Sequence, residues 1–584
     1  LKHLLPASTR FPECRSVFQS WRYDSRYHTR FITYSRQLEQ DYPELVSWAQ
    51  THAARFDDPP LLSLAEAAWT EMAETIGQWN SFEEALALLA EKKLIIEHAA
   101  QNFWAKQGYT PGWAALHQAG ELMAHIQRVL DQLLQMKSVA VIVQAYTSNW
   151  WQVDDSYRQT KLALQTPFTG NDMLMGWVDR FYTRFLADSN QQWTAKLAEH
   201  GQWDFIGILP AQDSFWSAVQ TEERTAVFLV DGLRYDLGQA VKAALPNNVE
   251  CSLQAMITGL PSTTPLGMSA LMPEGEKRTI GWQGKDWLIT VPEFEGNLAQ
   301  KEQRDKWLQT ELSAVQILNL DTLLKPDTTI DNKTKTLVVT TGDIDTIGEN
   351  TAKLDPAILD TLVDQLVRGA QKALRGGFTA VHIVSDHGFL LLDEVIDHGK
   401  AELPKHDWLK KRPRYAIGQN LPATEHLQFS IPGSENLTSW FPHSVICFKA
   451  FGQYNYVHGG PSLQEVIIPH LTIRSSQMGR PVGIAIDCTE ETRTAIFKVT
   501  LQPVPQALIS LEREVRLTLE RADGTIIYEA TEIIGMDNPV VKNLKIKPSD
   551  NIPYGETITV AVYDARTQAR LAQHNIRILV SLEL

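Results

Sequence analysis

Val-Phe-Leu-Val-Asp-Gly-Leu-Arg-Tyr-Asp, residues Val227–Asp236, is the stretch from which the fold is read. Val227 to Val230 are apolar without alternation and run straight into Asp231. A run of this kind reads as a buried central strand of a parallel sheet. In open α/β sheets, ligands bind just beyond the carboxyl ends of the strands, and Asp231 falls there. A carboxylate at the mouth of a buried sheet is costly unless something charged meets it. A metal ion answers that cost and directs attention to the other loops.

Strands alternate with helices from about Asp204 to Gln477. Candidate strands are Ala226–Val230, Glu250–Ile257, Thr336–Thr341 and Thr379–Ser385, and a candidate helix, Pro356–Leu374, stops at Gly376-Gly377. This alternation implies a doubly wound α/β domain. The chain before it reads as helical. Ser81–Gln107 has Ser81 as N-cap and Glu84 as its capping-box partner, and Trp113–Lys137 and Val139–Thr166 follow the same pattern. No catalytic motif stands out in that part. After about Pro481 come short strands such as Ile496–Leu501, Glu514–Glu520 and Thr557–Tyr563, with Ala522-Asp523-Gly524 as a hairpin turn. The expected division is an all-α domain over 1–203, an α/β domain over 204–478 and a β-sandwich over 479–584.

A chain of 584 residues is too long for one core, which agrees with several domains. Its 17 Trp concentrate in the first third and suggest aromatic anchors between helices. No apolar run approaches the roughly 20 residues that span a bilayer, and no secretory segment opens the sequence. The expectation is a cytoplasmic protein with no membrane partner. Cys14, Cys251, Cys447 and Cys488 form no CxxC pair, which argues against a thiolate zinc site and a disulfide scaffold. The net charge of −15 argues against a general nucleic-acid binder and leaves room only for a local basic patch. The first residue is Leu1 rather than methionine, which suggests a longer parent chain.

Metal-ligand residue types gather in loops that follow or flank the strands. Asp231 is the first. In Gly259–Met272, hydroxyls precede an apolar helical run, and a threonine at a helix start lies beside unpaired N–H groups that favour phosphate. Thr341–Glu349 carries Asp343, Asp345 and Glu349; Ser385–Gly388 carries Asp386 and His387; Tyr456–Pro461 carries His458. Carboxylates and imidazoles without thiolates suit Zn²⁺ or Mn²⁺ at a site with open positions. Two ions roughly 3.5–4 Å apart are the usual device for in-line phosphoryl displacement. A hydroxyl beside such an ion is an activated nucleophile.

Lys405–Tyr415 holds five Lys or Arg against one Asp. Lys410, Lys411, Arg412 and Arg414 are candidates for holding a polyanionic substrate, with Trp408 and Tyr415 available for stacking. Arg234 is a second candidate for a phosphate oxygen.

The order Asp, Thr, Asp-x-x-x-(His or Glu), Asp-His-Gly, His resembles the alkaline phosphatase superfamily. Within it, VDGLRYD, PSTTP, SDHGF, KRPRY and VHGGPSLQEVIIP look like the PglZ family of the BREX phage-defence systems. The match covers about Val227–Pro469, and its most specific part is His458, Gly459, Gly460, Ser462 and Glu465. The resemblance implies an alkaline-phosphatase-type core and two metal sites. Asp231, Thr264, Asp386 and His387 would form one; Asp345, Glu349 and His458 would form the other. Thr264 would be the nucleophile, with Thr263 the runner-up. The superfamily's common pattern has histidine where Glu349 stands, so the second site is harder and more negative, and Asp343 competes for it.

The basic segment would lie where family members carry an insertion over the active site. The implied activity is that of a metal-dependent phosphoric-ester hydrolase, a phosphodiesterase or nuclease acting on nucleic acid or nucleotides. It would use one or two divalent ions, zinc first and manganese next. Implied partners are other BREX proteins, including the methyltransferase and a small adaptor protein. Two alternatives stand beside it: a non-catalytic or weakly catalytic scaffold that assembles those partners, and a phosphomonoesterase.

Overall fold

A computed structural model describes residues 11–52, 58–204, 208–211, 215–221, 224–247, 249–341, 355–392, 400–419, 426–449, 456–475, 480–505, 510–535, 539–565 and 569–580. The segment 342–354, with Asp343, Asp345 and Glu349, lies outside the described residues.

Helices fill the first part. The main ones are α1 (Gly112–Leu133), α2 (Trp151–Ala163) and α3 (Asn171–His200). Ser81–Gln107 is not one helix. It breaks into Phe82–Glu91, Lys93–Gln101 and Phe103–Lys106. The last break has a local cause: Asn102 turns out of the helix and its side chain accepts the Ala105 N–H at 2.9 Å. Ser81 caps as expected, accepting the Glu84 N–H at 3.1 Å. The return bond differs, because Glu84 Oε2 accepts from Asn80 N at 3.0 Å, one residue earlier than a capping box requires. Val139–Thr166 is likewise interrupted, by a π-helical turn over Tyr146–Trp150. No described helix is long and apolar enough to cross a membrane.

The α/β part is built on a seven-stranded sheet. Its strands are β1 (Leu209–Pro210), β2 (Thr225–Val230), β3 (Val249–Ile257), β4 (Val315–Asn319), β5 (Thr336–Thr341), β6 (Ala380–Ser385) and β7 (Ile467–Ser475). Across the sheet they run β1-β3-β7-β6-β2-β5-β4. Every pairing is parallel except those of β7, which is antiparallel to both β3 and β6. The sheet is therefore mixed rather than wholly parallel. β2 and β6 are buried along their full length, as the unalternated apolar run predicts. Val227 and Leu229 join one core, while Ala226, Phe228 and Val230 join another on the opposite face. The second core is closed by α4 (Tyr235–Ala244) and α7 (Pro356–Arg375) through residues such as Leu237, Val241, Leu362 and Leu366. The first core runs without interruption into the helical part, from Trp69 through Trp193 to Ile468.

The topology fixes where the loops meet. Val230 pairs with both Thr341 and Ser385, so β2, β5 and β6 end level. β3 ends at the same edge, because antiparallel β7 begins there, with Ile467 opposite Ile257. The loops after β2, β3 and β6 and the loop before β7 thus share one sheet edge. The C-terminal part forms a three-stranded and a five-stranded sheet around one core that includes Val499, Leu517, Val560 and Ile576.

Candidate metal centre

Asp231 follows β2 without a spacer. The turn needs Gly232, whose φ of +75° is accessible to glycine at no steric cost. Asp386 follows β6 in the same way. Its Oδ1 accepts from Gly232 N at 3.0 Å and from His387 N at 2.9 Å. Those bonds orient the fully buried carboxylate and turn Oδ2 toward His387 Nε2, 3.4 Å away. The Nδ1 of His387 faces Gly388 O at 3.0 Å. A proton on Nδ1 serves that bond and leaves the Nε2 lone pair directed at the site. Nε2 lies 3.6 Å from Asp231 Oδ1. Among the described residues, Asp231, Asp386 and His387 each offer a donor atom within 4.8 Å of the others.

Thr264 opens the helix α5 (Thr264–Ala270) and enters this group. Its Oγ1 is 3.3 Å from Asp231 Oδ1 and 3.2 Å from His387 Nε2. Thr263 is different: it is buried, and its hydroxyl turns back on Pro261 O at 3.5 Å. The helix packs hard on the Asp386 backbone. A Cβ on Gly267 would come within 2.4 Å of Asp386 O, which Thr258 Oγ1 also contacts at 2.6 Å.

His458 comes to the same edge from the loop before β7. Its ring lies parallel to that of His387, and its Nδ1 is 3.1 Å from Ser262 O. The expected grouping of His458 with Asp345 and Glu349 falls on residues outside the described ones. What the structure places beside His458 is the first site.

The Gly-Gly-x-Ser-x-x-Glu stretch has a structural explanation. Glu465 is fully buried; its Oε1 accepts from Gly460 N at 2.8 Å and its Oε2 from Ser462 Oγ at 2.6 Å. Arg414 Nη2 meets Oε2 at 2.8 Å. Burial alone would raise the Glu465 carboxyl, but the Arg414 guanidinium and these hydrogen bonds outweigh it and hold it below its ordinary value.

Two of the expected substrate contacts are corrected by burial. Arg414 is fully buried against Glu465 and the carbonyls of Ser444 and Ile446, so a substrate cannot reach it. Arg234 is also fully buried, and its Nε and Nη2 bind Asp236 Oδ1 and Oδ2, each at 2.8 Å. Its fork is already filled by a carboxylate. Tyr415 is buried against Gly459 rather than free to stack. Lys411 and Arg412 are exposed, whereas Lys410 is half-buried beside Trp282 and 3.7 Å from Asp286.

Sequence reasoning missed two residues. Arg304, on α6 (Lys301–Glu311), is half-buried with its Nη1 on Leu298 O and Ala299 O at 3.1 and 3.0 Å. Desolvation lowers its pKa, and the Asp386 and Asp231 carboxylates pull the other way, which places the guanidinium in their field. Asp154, in the helical part, is the other.

A fully buried carboxylate, a second carboxylate and an oriented imidazole form an O,O,N donor set with open positions beside a hydroxyl, which fits a divalent cation. Residues 216–473 match the family model described as the BREX system PglZ alkaline phosphatase-like domain. The similarity to the PglZ family lies in this part of the chain. The alkaline phosphatase-like protein BrxZ of Escherichia coli O9:H4 (strain HS) is 24% identical over 504 residues, covering 78% of this chain and 56% of the relative. The alkaline phosphatase-like protein PglZ of Bacillus cereus (strain H3081.97) is 25% identical over 399 residues, covering 62% and 45%. The chain thus spans about half the length of these curated relatives. Among solved structures, murine ectonucleotide pyrophosphatase/phosphodiesterase 5 aligns with 10% identity and a TM-score of 0.28, covering 44% of this chain and 89% of that one. Phosphonoacetate hydrolase from Sinorhizobium meliloti 1021, in complex with phosphonoacetate, aligns with 10% identity and a TM-score of 0.28, covering 43% and 90%.

Proposed function

We propose that this chain is a metal-dependent phosphoric-ester hydrolase, a phosphodiesterase acting on nucleic acid or nucleotides within a BREX antiphage assembly. One observation carries the reading: the Thr264 hydroxyl lies within 3.3 Å of both Asp231 and His387, at the edge of the only metal-capable cluster among the described residues. Asp231, Asp386 and His387 would hold the ion, zinc or manganese, with Asp345, Glu349 and His458 proposed for a second. A divalent cation there would offset the two carboxylates and favour the deprotonated form of a neighbouring hydroxyl.

The chain's own residues supply the rest. Thr264 Oγ forms a bond to phosphorus while the bond from phosphorus to the departing alcohol breaks, and that alcohol oxygen takes up a proton. Water then cleaves the phosphothreonine ester and regenerates the hydroxyl. Backbone bonds to Asp386 and His387 fix both side chains beforehand, so little reorganisation is needed when charge develops. Lys411 and Arg412 are the exposed cations left to meet a polyanion.

The test is hydrolysis of a chromogenic phosphate bis-ester and of short oligonucleotides with Zn²⁺ or Mn²⁺ added, in wild type and Asp386→Ala. Turnover that requires metal and is lost in Asp386→Ala supports the reading. Absence of both bound metal and turnover in wild type points instead to a scaffold that assembles BREX partners.

A further inference from the structure

The helical part contributes a buried anion to the back of the candidate site. Asp154, on α2, is fully buried. Tyr146 OH donates to its Oδ2 at 2.8 Å and Tyr182 OH to its Oδ1 at 2.7 Å. Gln464 Nε2 reaches both oxygens, at 3.4 and 3.3 Å, and Arg234 Nη2 lies 4.0 Å from Oδ1. The two tyrosines belong to the helical part, whereas Gln464 follows the loop that carries His458 and Arg234 ends the turn that carries Asp231.

Gln464 is held at its other end as well. Asn190 Nδ2 donates to Gln464 Oε1 at 3.0 Å, and Asn190 Oδ1 accepts from Leu463 N at 2.9 Å. Trp193 Nε1 donates to Pro461 O at 2.6 Å. The Gln464 backbone in turn forms the wall behind His387. A Cβ on Gly388 would lie 2.1 Å from Gln464 O, and Gly388 N donates to Glu465 O at 2.9 Å.

We propose that Asp154 is a positioning residue for the metal centre, fixing the Gln464–Gly388 junction behind His387 and the Arg234 turn behind Asp231. Two further observations support it. Tyr146 begins the π-helical turn Tyr146–Trp150, a rare geometry that recurs at functional sites and here accompanies a fully buried ring. A buried carboxylate is also a poor stabiliser, since apolar replacements of such groups are often neutral or stabilising. Burial pushes the Asp154 carboxyl up to about 6 despite the opposing pull of Arg234, so the fold carries this anion at a cost. Perturbed buried acids of this kind cluster at functional sites.

The inference rests on reading Asp231, Asp386 and His387 as a metal centre, and its test is separable from that reading. Amide hydrogen exchange is measured on metal-free full-length wild type, Asp154→Asn, Tyr146→Phe and the pair swap Asp154→Asn with Gln464→Glu. The expected result is at least tenfold faster exchange at Gly388 and Leu463–Val466 in Asp154→Asn, a smaller rise in Tyr146→Phe, and recovery to within about threefold of wild type in the swap. Amides of β2 keep their protection. Mn²⁺ titration of the same proteins should give a Kd at least tenfold weaker in Asp154→Asn and restored in the swap. Unchanged exchange at Gly388 in both single variants, or a uniform rise across the chain, overturns the proposal. If Asp154→Asn fails to fold, Tyr146→Phe decides alone: wild-type exchange there also overturns it. Failure of wild type to bind Mn²⁺ removes the metal reading and leaves the exchange result to be judged by itself.

Discussion

The imidazoles of His387 and His458 lie 4.3 Å apart and within 6° of parallel. Each has its Nδ1 at a backbone carbonyl, Gly388 O at 3.0 Å and Ser262 O at 3.1 Å. The second ring therefore walls the first, and its removal frees His387 to rotate. His458→Ala is expected to fold with unchanged thermal stability to within a few degrees and to bind Mn²⁺ or Zn²⁺ about 10–100-fold more weakly. Calorimetric titration checks this, and wild-type affinity would place His458 outside the centre.

The two neighbouring threonines should separate cleanly. Thr264 Oγ1 faces Asp231 and His387, while Thr263 turns to Pro261 O. Thr264→Ala is expected to lower kcat on a phosphate bis-ester by about a hundredfold or more, with bound metal retained. Thr263→Ala should stay within about threefold of wild type. The reverse ranking would move the nucleophile to Thr263.

Two buried carboxylates give opposite pH signatures. Asp154 is raised by burial to about 6, so between pH 4 and 6 the folded chain keeps a proton that the unfolded chain has lost. Stability from this group falls as pH rises through that window. Glu465 is held below its ordinary 4.5, so its contribution is present above that value and lost as pH falls through the depressed one. Urea unfolding of Asp154→Asn against wild type should show the difference shifting by about 2 kcal/mol in favour of the variant between pH 4.5 and 7. In Glu465→Gln, by contrast, destabilisation relative to wild type should be larger at pH 7 than at pH 3.5. A pH-independent difference in either case contradicts the assignment.

The exposed cations should act on polymer and not on chemistry. Lys411→Glu with Arg412→Glu is expected to raise KM for an oligonucleotide about tenfold and to flatten its salt dependence. Turnover of a small bis-ester should not change. Equal loss on both substrates would mean that the substitutions disturb the site itself.

The strand ends were legible because an apolar run meeting Asp231 or Asp386 is a local pattern, and the observed ends at Val230 and Ser385 agree with it. Thr264 was legible for the same reason, as a hydroxyl at a helix start. Arg414 was misread because its partner Glu465 is 51 residues away and only tertiary packing joins them. Arg234 was more accessible to reasoning, since Asp236 lies two residues on and can fill its fork. Asp154 left no signal, because its importance comes from Gln464, 310 residues later in the chain. The direction of β7 was equally hidden, since no feature within Ile467–Ser475 says which neighbours it will join.

That strand has a kinetic consequence. Among the described strands, β7 alone joins β1 and β3 to the block formed by β6, β2, β5 and β4. Thr264 hangs from the first piece, while Asp231 and Asp386 hang from the second. During synthesis the two slabs can each form early, yet they are stitched only after residue 475 has emerged. Because closure of so distant a contact is slow, the donor set stays apart until nearly the whole α/β part has been made. A nascent or truncated chain that stops short of Ile467 would display two unpaired sheet edges and no assembled centre.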